Sequence, residues 1–160
     1  MINKVIKTVF SWVSVSVWAV SALGICHAND VPTRHSMPIE KNVPASVKTV
    51  NAPDSDPQHY QVMNGTHFSY RCHVPYTAKS QQAAVEVCEI DPVKLKLLSW
   101  PETEVINLIS GNVTITELGG TVVTYAAGDI FVLPQGFKGI WDQPLPITKV
   151  TVRHPLYWKD

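Results

Sequence analysis

The stretch GDIFVLPQGFKGIW, residues 128–141, decides the fold. Gly128-Asp129 and Pro134-Gln135-Gly136 are turn sequences on either side of a four-residue apolar run. Ile130 to Leu133 is apolar on both faces, so the pattern predicts an interior strand bounded by two turns. A further strand then starts at Gly139.

Working outward, the same alternation recurs. Val113 and Ile115 share one face, and Thr114 and Thr116 the other. Gly119-Gly120 separates two β-branched runs and predicts a hairpin in which both glycines take positive φ. Residues 103–109 and 147–153 read as strands, as do 94–98 and 83–90. In the last, Val85 and Val87 face one way while Glu86 and Cys88 face the other. Residues 66–73 read as an edge strand. No amphipathic helix is read after residue 60. Short strands at even spacing with Gly and Pro turns predict an all-β antiparallel sandwich or small barrel.

The chain has 160 residues, 45% hydrophobic and 16% charged, with a formal net charge of zero. That suits one small domain with accessory segments and gives no reason to expect nucleic acid as a partner. Lys4 and Lys7 precede an apolar stretch at residues 8–25, which ends in Cys26-His27-Ala28. This reads as a signal peptide, residues 1–28, cut after Ala28. The protein is therefore expected to be secreted or periplasmic, with no membrane association once the signal is removed. Residues 29–58 carry five prolines and read as a linker or an extended arm, and residues 59–160 as the barrel domain. Outside the signal, Cys72 and Cys88 are an even pair, and in an oxidising compartment they predict a disulfide.

Two motifs carry a resemblance. The first is Glu104, six residues and Gly111 in ETEVINLISG; the second is Gly128, five residues and Pro134-Gln135-Gly136. Together the region from Trp100 to Val152 resembles the cupin superfamily, and specifically its ureidoglycine-aminohydrolase-like branch. The resemblance implies a small antiparallel cupin β-barrel of jelly-roll type, and pairing into a homodimer would fit it. Metal-binding cupins hold their ion with two histidines and a glutamate from the first motif and a histidine from the second. Here the histidine positions fall near Leu98 and Trp100 and at Gly139, so only Glu104 remains. One carboxylate is too few donors for a divalent ion, and the reading calls for no metal and no cofactor. A weaker alternative set is His67 and His73 with Glu104, because residues six apart on a strand share a face.

Glu104 shares parity with Ile106 and Leu108 and is expected inside the barrel. There it needs a cation, Lys149 or Arg71, or hydrogen-bond donors. Trp100 and Trp141 are placed beside it by parity, as the floor of a pocket or as core. The candidate pocket is Glu104, Trp100, Trp141 and Lys149. The leading reading is an exported cupin that binds a small polar molecule. The alternatives are an aminohydrolase-like enzyme acting on a ureido or amino substrate, and a structural or interaction protein with a packed barrel.

Overall fold

Alternation of apolar and polar residues produces strands whose inner faces meet. β7 (Glu104–Ser110), β8 (Asn112–Glu117), β6 (Val93–Leu97) and β11 (Gly139–Gln143) each bury every second residue. The structure is a computed structural model and describes residues 36–52, 55–65 and 67–154. The predicted signal peptide, residues 1–28, and the first part of the predicted Pro-rich linker lie outside the described residues. The described residues from Met37 to His154 belong to one compact unit.

The remaining strands are β1 (Val50–Asn51), β2 (Ser55–Asp56), β3 (Tyr60–Val62), β4 (Ser69–Thr77), β5 (Ala84–Ile90), β9 (Val122–Ala126), β10 (Ile130–Leu133) and β12 (Ile147–Arg153). They form two six-stranded sheets, ordered β1-β4-β5-β12-β7-β10 and β2-β3-β6-β11-β8-β9, and the assigned pairings are antiparallel. No described residue is helical. The inner faces meet in one core that includes Leu95, Leu97, Ile106, Leu108, Val113, Leu133 and Trp141. This is the expected all-β, jelly-roll barrel.

Three details differ from the sequence reading. β10 is the last strand of its sheet, not an interior one. Phe131 and Leu133 are buried, while Ile130 is 65% and Val132 55% exposed. β4 is not the sheet edge, because the two-residue β1 pairs with it at Val50–Tyr70 and Asn51–Ser69. In the β8–β9 hairpin only Gly120 has positive φ, +86°. Glu117 N–H donates to Thr121 O, and Gly120 N–H to Glu117 O. The loop is thus a turn over 117–120 closed by one left-handed glycine, a longer hairpin type than two central glycines imply.

The segment before β1 meets the outer face of the first sheet at Val43. Val43 is buried, and its N–H donates to Glu89 Oε1 at 3.3 Å. Glu89 also pairs with Arg71 on the neighbouring strand. The Arg71 hydrogen bond holds the Glu89 carboxyl below the usual carboxylate range, with lesser help from the Val43 amide and the Arg71 charge and opposed by burial. Cys72 and Cys88 stand opposite one another on β4 and β5 and form the expected disulfide.

Two outcomes follow. A carboxyl lowered in the fold stabilises it above its unfolded pKa, about 4.3, and that contribution fades as pH falls through the lower folded value. Hydrogen exchange should therefore show the Val43 amide protected near neutrality and less protected in acid, whereas Glu89→Ala, which removes the acceptor, should leave it weakly protected throughout; unchanged protection in that variant would contradict this role. The Cys72–Cys88 bridge spans a sequence separation of 16. Replacing both cysteines with serine should lower unfolding free energy by about 3 kcal/mol in denaturant titration.

Candidate functional site

β7 carries Glu104 inward on the same face as Ile106 and Leu108, and all three are buried. A carboxylate among aliphatic side chains requires a counter-charge. β12 supplies it: Lys149 lies on the neighbouring strand and its Nζ is 3.2 Å from Glu104 Oε2. The register between β12 and β7 shifts between Thr148 and Lys149, a bulge that sets Lys149 opposite Leu108. Both side chains are nearly inaccessible, at 9% and 3%. Arg71, the other cation considered for Glu104, is engaged with Glu89 instead.

Trp141 projects inward from β11, on the same face as Gly139 and Gln143. Its indole Nε1 donates to Gln143 Oε1 at 3.1 Å. The Gln143 amide nitrogen in turn donates to the carbonyls of Ile90 and Asp91, at 3.0 and 2.9 Å. Gln143 therefore fixes the indole and ties the two sheets together. Lys149 Nζ lies 6.0 Å from the Trp141 ring centroid, within reach of a cation–π attraction. Phe131, stacked on Tyr125 at 4.0 Å, lies 6.3 Å from Trp141 between ring centroids.

Trp141, Gln143 and Lys149 border an interior cavity of about 80 Å³. Its walls include Trp100, Trp141 and Lys149 from the predicted set, together with Phe68, Leu97 and Gln143. Glu104 stands behind Lys149 and holds its ammonium. Trp100 comes from the loop between β6 and β7, where its N–H donates to Phe137 O and its carbonyl accepts from Gly136 N–H. Three of the four residues expected in the pocket thus line this cavity, and Glu104 does not line it but pairs with Lys149. Lys149 has three N–H donors, and among the described residues one hydrogen bond is made, to Glu104.

The alternative metal set is not brought together. His67 precedes β4 and is exposed. His73 stands opposite Val87 on the outer face, whereas its neighbour Cys72 points inward to Cys88. Neither histidine meets Glu104. Among the described residues the one grouping of possible ligands is Cys72, Glu86 and Cys88, whose cysteines are bonded to each other. The usual cupin metal does not fit this barrel. Glu104 is ion-paired with Lys149, and Leu98 and Trp100 offer no donor. At Gly139 an added Cβ would lie 2.4 Å from Thr116 O and 2.9 Å from the Phe137 ring. A histidine at Gly139 would require backbone movement.

Sequence reasoning missed a second charged group beyond Lys149. Arg153 makes two hydrogen bonds to Glu86, both 2.9 Å, and its Nη1 lies 3.9 Å from Glu102. Glu102 also accepts from the His154 amide at 3.0 Å. Burial works to lower Arg153, but Glu86, then Glu102 and Glu104, outweigh it and hold the guanidinium charged. Strand parity contained the signal, since Lys149, Thr151 and Arg153 alternate on one face of β12. Thr151 is fully buried between them, and its hydroxyl makes no hydrogen bond among the described residues.

Residues 78–150 match the family model described as the EutQ-like cupin domain. No protein of curated function matches the chain. Among solved structures, a protein of unknown function from Pseudomonas syringae pv. tomato has TM-score 0.54 and 19% identity, covering 69% of this chain and 46% of its own. A cupin-2 domain from Rhodospirillum rubrum has TM-score 0.50 and 11% identity, covering 79% of this chain and 82% of its own. The EutQ protein of Clostridium difficile has TM-score 0.49 and 17% identity, covering 65% and 81%. At these identities the likeness is one of fold. The match over residues 78–150 and the order of strands in the two sheets give the barrel the cupin fold.

Proposed function

We propose that this is an exported, metal-independent cupin that binds a small neutral molecule through a carbonyl, amide or ureido oxygen. The observation that carries the reading is the buried ammonium of Lys149 at the wall of an aromatic cavity. Glu104 neutralises it, so a neutral acceptor fits better than an anion, which would add uncompensated charge. Trp100 and Trp141 offer apolar faces to the rest of the ligand. A cavity of about 80 Å³ suits a molecule of few non-hydrogen atoms and is well below the size of drug-binding pockets.

The resemblance to ureidoglycine aminohydrolases supports the choice of a small ureido or amide ligand. It adds no catalytic step, because Leu98, Trp100 and Gly139 occupy the places where that chemistry needs ligands. Export rests on the N-terminal sequence and on the disulfide between Cys72 and Cys88. A product that begins at Asn29 when secreted would support it.

The test is thermal unfolding with a panel of small amides, ureas and carboxylates. At ligand concentrations about 100-fold above Kd, binding contributes about 2.7 kcal/mol and raises Tm by several degrees. Amides or ureas should produce that rise, and Lys149→Met should abolish it. A panel without effect, or a rise that survives Lys149→Met, would overturn the proposal. So would stoichiometric manganese, zinc or iron in protein purified without an affinity tag.

The same pair makes a structural prediction. Glu104→Leu alone leaves a buried ammonium unpaired and should cost about 3 kcal/mol, whereas the Glu104→Leu/Lys149→Met double variant should recover most of that loss. Chemical denaturation of the wild type, Glu104→Leu, Lys149→Met and the double variant measures the coupling. The double variant also serves as a folded control that lacks the ligand donor.

A further inference from the structure

The outer face of the first sheet carries a polar cleft at the end where β4 and β12 begin and β5 and β7 finish. Its volume is about 260 Å³, against about 80 Å³ for the interior cavity. One cross-strand row lines it: Arg71 stands opposite Glu89, Glu89 opposite Thr148, and Thr148 opposite Ser110. By parity Ser110 would follow Leu108 inward. The bulge between Thr148 and Lys149 cancels that parity and turns Ser110 to the face of Thr148, whose N–H donates to Ser110 Oγ at 3.1 Å. The turn after Ser110 packs closely on the entry to β12. Gly111 there has φ +76°, and an added Cβ would lie 2.6 Å from Pro146 O. Asp91 stands at the rim with its backbone held from two sides. Its N–H donates to Ser69 O, and its carbonyl accepts from the Gln143 amide nitrogen. Thr49, from the segment before β1, adds a further hydroxyl to the lining.

We infer that this cleft is a second binding site, outside the barrel, for a neutral polyhydroxylated molecule of monosaccharide size. Arg71 and Glu89 remain 30% and 33% exposed, so a ligand can reach both. A guanidinium carries several N–H donors, and among the described residues Arg71 uses Nη2 alone, on Glu89. The Asp91 carboxylate and the Thr148 hydroxyl make no hydrogen bond among the described residues. The row therefore offers donors beside acceptors. A vicinal diol matches it, because each hydroxyl both donates and accepts: one oxygen accepts from Arg71 while its neighbour donates to Glu89. Charge selects against simpler ligands. An anion would meet Glu89 and Asp91 with Arg71 alone to balance them, and a small cation would be repelled by Arg71 and leave its donors unused. A neutral polyol pairs with both signs and adds no charge. The volume lies near the lower end of small-molecule sites, which suits one sugar ring rather than a chain. The Arg71–Glu89 and Thr148–Ser110 bonds hold the row in place before a ligand arrives, which lowers the ordering cost of binding. The cleft is separate from the interior cavity, since Thr148 lies on the face of β12 opposite to Lys149.

Nuclear magnetic resonance of the isotope-labelled protein tests it, with separate titrations of D-glucose, D-galactose, D-mannose and myo-inositol. Glycine and inorganic phosphate serve as charged comparators. At least one polyol should move the Arg71 side-chain N–H signals together with the Ser110 and Thr148 amides, saturating in the millimolar range of a shallow site. The Trp141 indole N–H should stay where it is. Arg71→Lys keeps a cation beside Glu89 but loses the planar fork, and should raise the dissociation constant about tenfold. Thr148→Val keeps a β-branched strand former and removes one hydroxyl, and should raise it about fivefold. Both variants should keep the wild-type Tm, so that the loss is one of binding. Four results would overturn the inference: no saturable shift with any polyol, saturation by glycine or phosphate alone, shifts at Trp141 in place of Arg71, or an affinity that survives both substitutions.

Discussion

The buried pair of Glu104 and Lys149 is the constraint on which the interior depends. β7 turns Glu104 to the same side as Ile106 and Leu108, so the sheet must either neutralise it or ligate it. Burying one charge alone costs several kcal/mol, and a close opposite charge offsets much of that cost. The bulge between Thr148 and Lys149 brings the ammonium to 3.2 Å. Once paired, Glu104 is no longer an open carboxylate for a cation. The loss of histidine donors, the close approach of Thr116 O to Gly139 and the presence of Lys149 therefore describe one change of chemistry. The interior presents a paired ammonium beside Glu104.

The surrounding structure keeps that ammonium in place. Gln143 holds the Trp141 indole through Oε1 and clasps the end of β5 through its amide nitrogen, so one side chain sets the cavity wall and joins the two sheets. The disulfide links β4 to β5, and β5 pairs with β12, which carries Lys149. Arg153, two residues beyond Thr151, fastens the same strand to Glu86 and Glu102. The inner face of β12 is therefore an alternating series of cations held by acids from β5, β7 and the loop before β7.

Much of this was legible in the sequence, because period-two alternation fixes which side chains share a face. Parity placed Glu104 with Ile106 and Leu108 and put Trp141 inside, and the need of a buried carboxylate for a counter-charge named Lys149 or Arg71 as its partner. Compartment and cysteine count predicted the Cys72–Cys88 bridge. Three features were not legible, for separate physical reasons. Ile130 to Leu133 looks interior because composition reports how much apolar surface a strand must bury, not whether the chain's own fold buries it. Gly119-Gly120 looks like a two-residue turn, but the hydrogen bonds of Glu117 to Gly120 and Thr121 choose a longer loop. The histidine pair failed because the strand begins at Ser69, which leaves His67 outside it, and because the register turns His73 outward.

The central claim is that Lys149, rather than a metal ion, is the group that a ligand meets inside this barrel. Nuclear magnetic resonance reads it most directly, by following the Lys149 ammonium and the indole N–H signals of Trp100 and Trp141 while a small amide or urea is added. The account predicts that the Lys149 and indole signals move together and saturate with one dissociation constant. Shifts confined to surface residues, with the Lys149 ammonium unmoved at saturation, would contradict it.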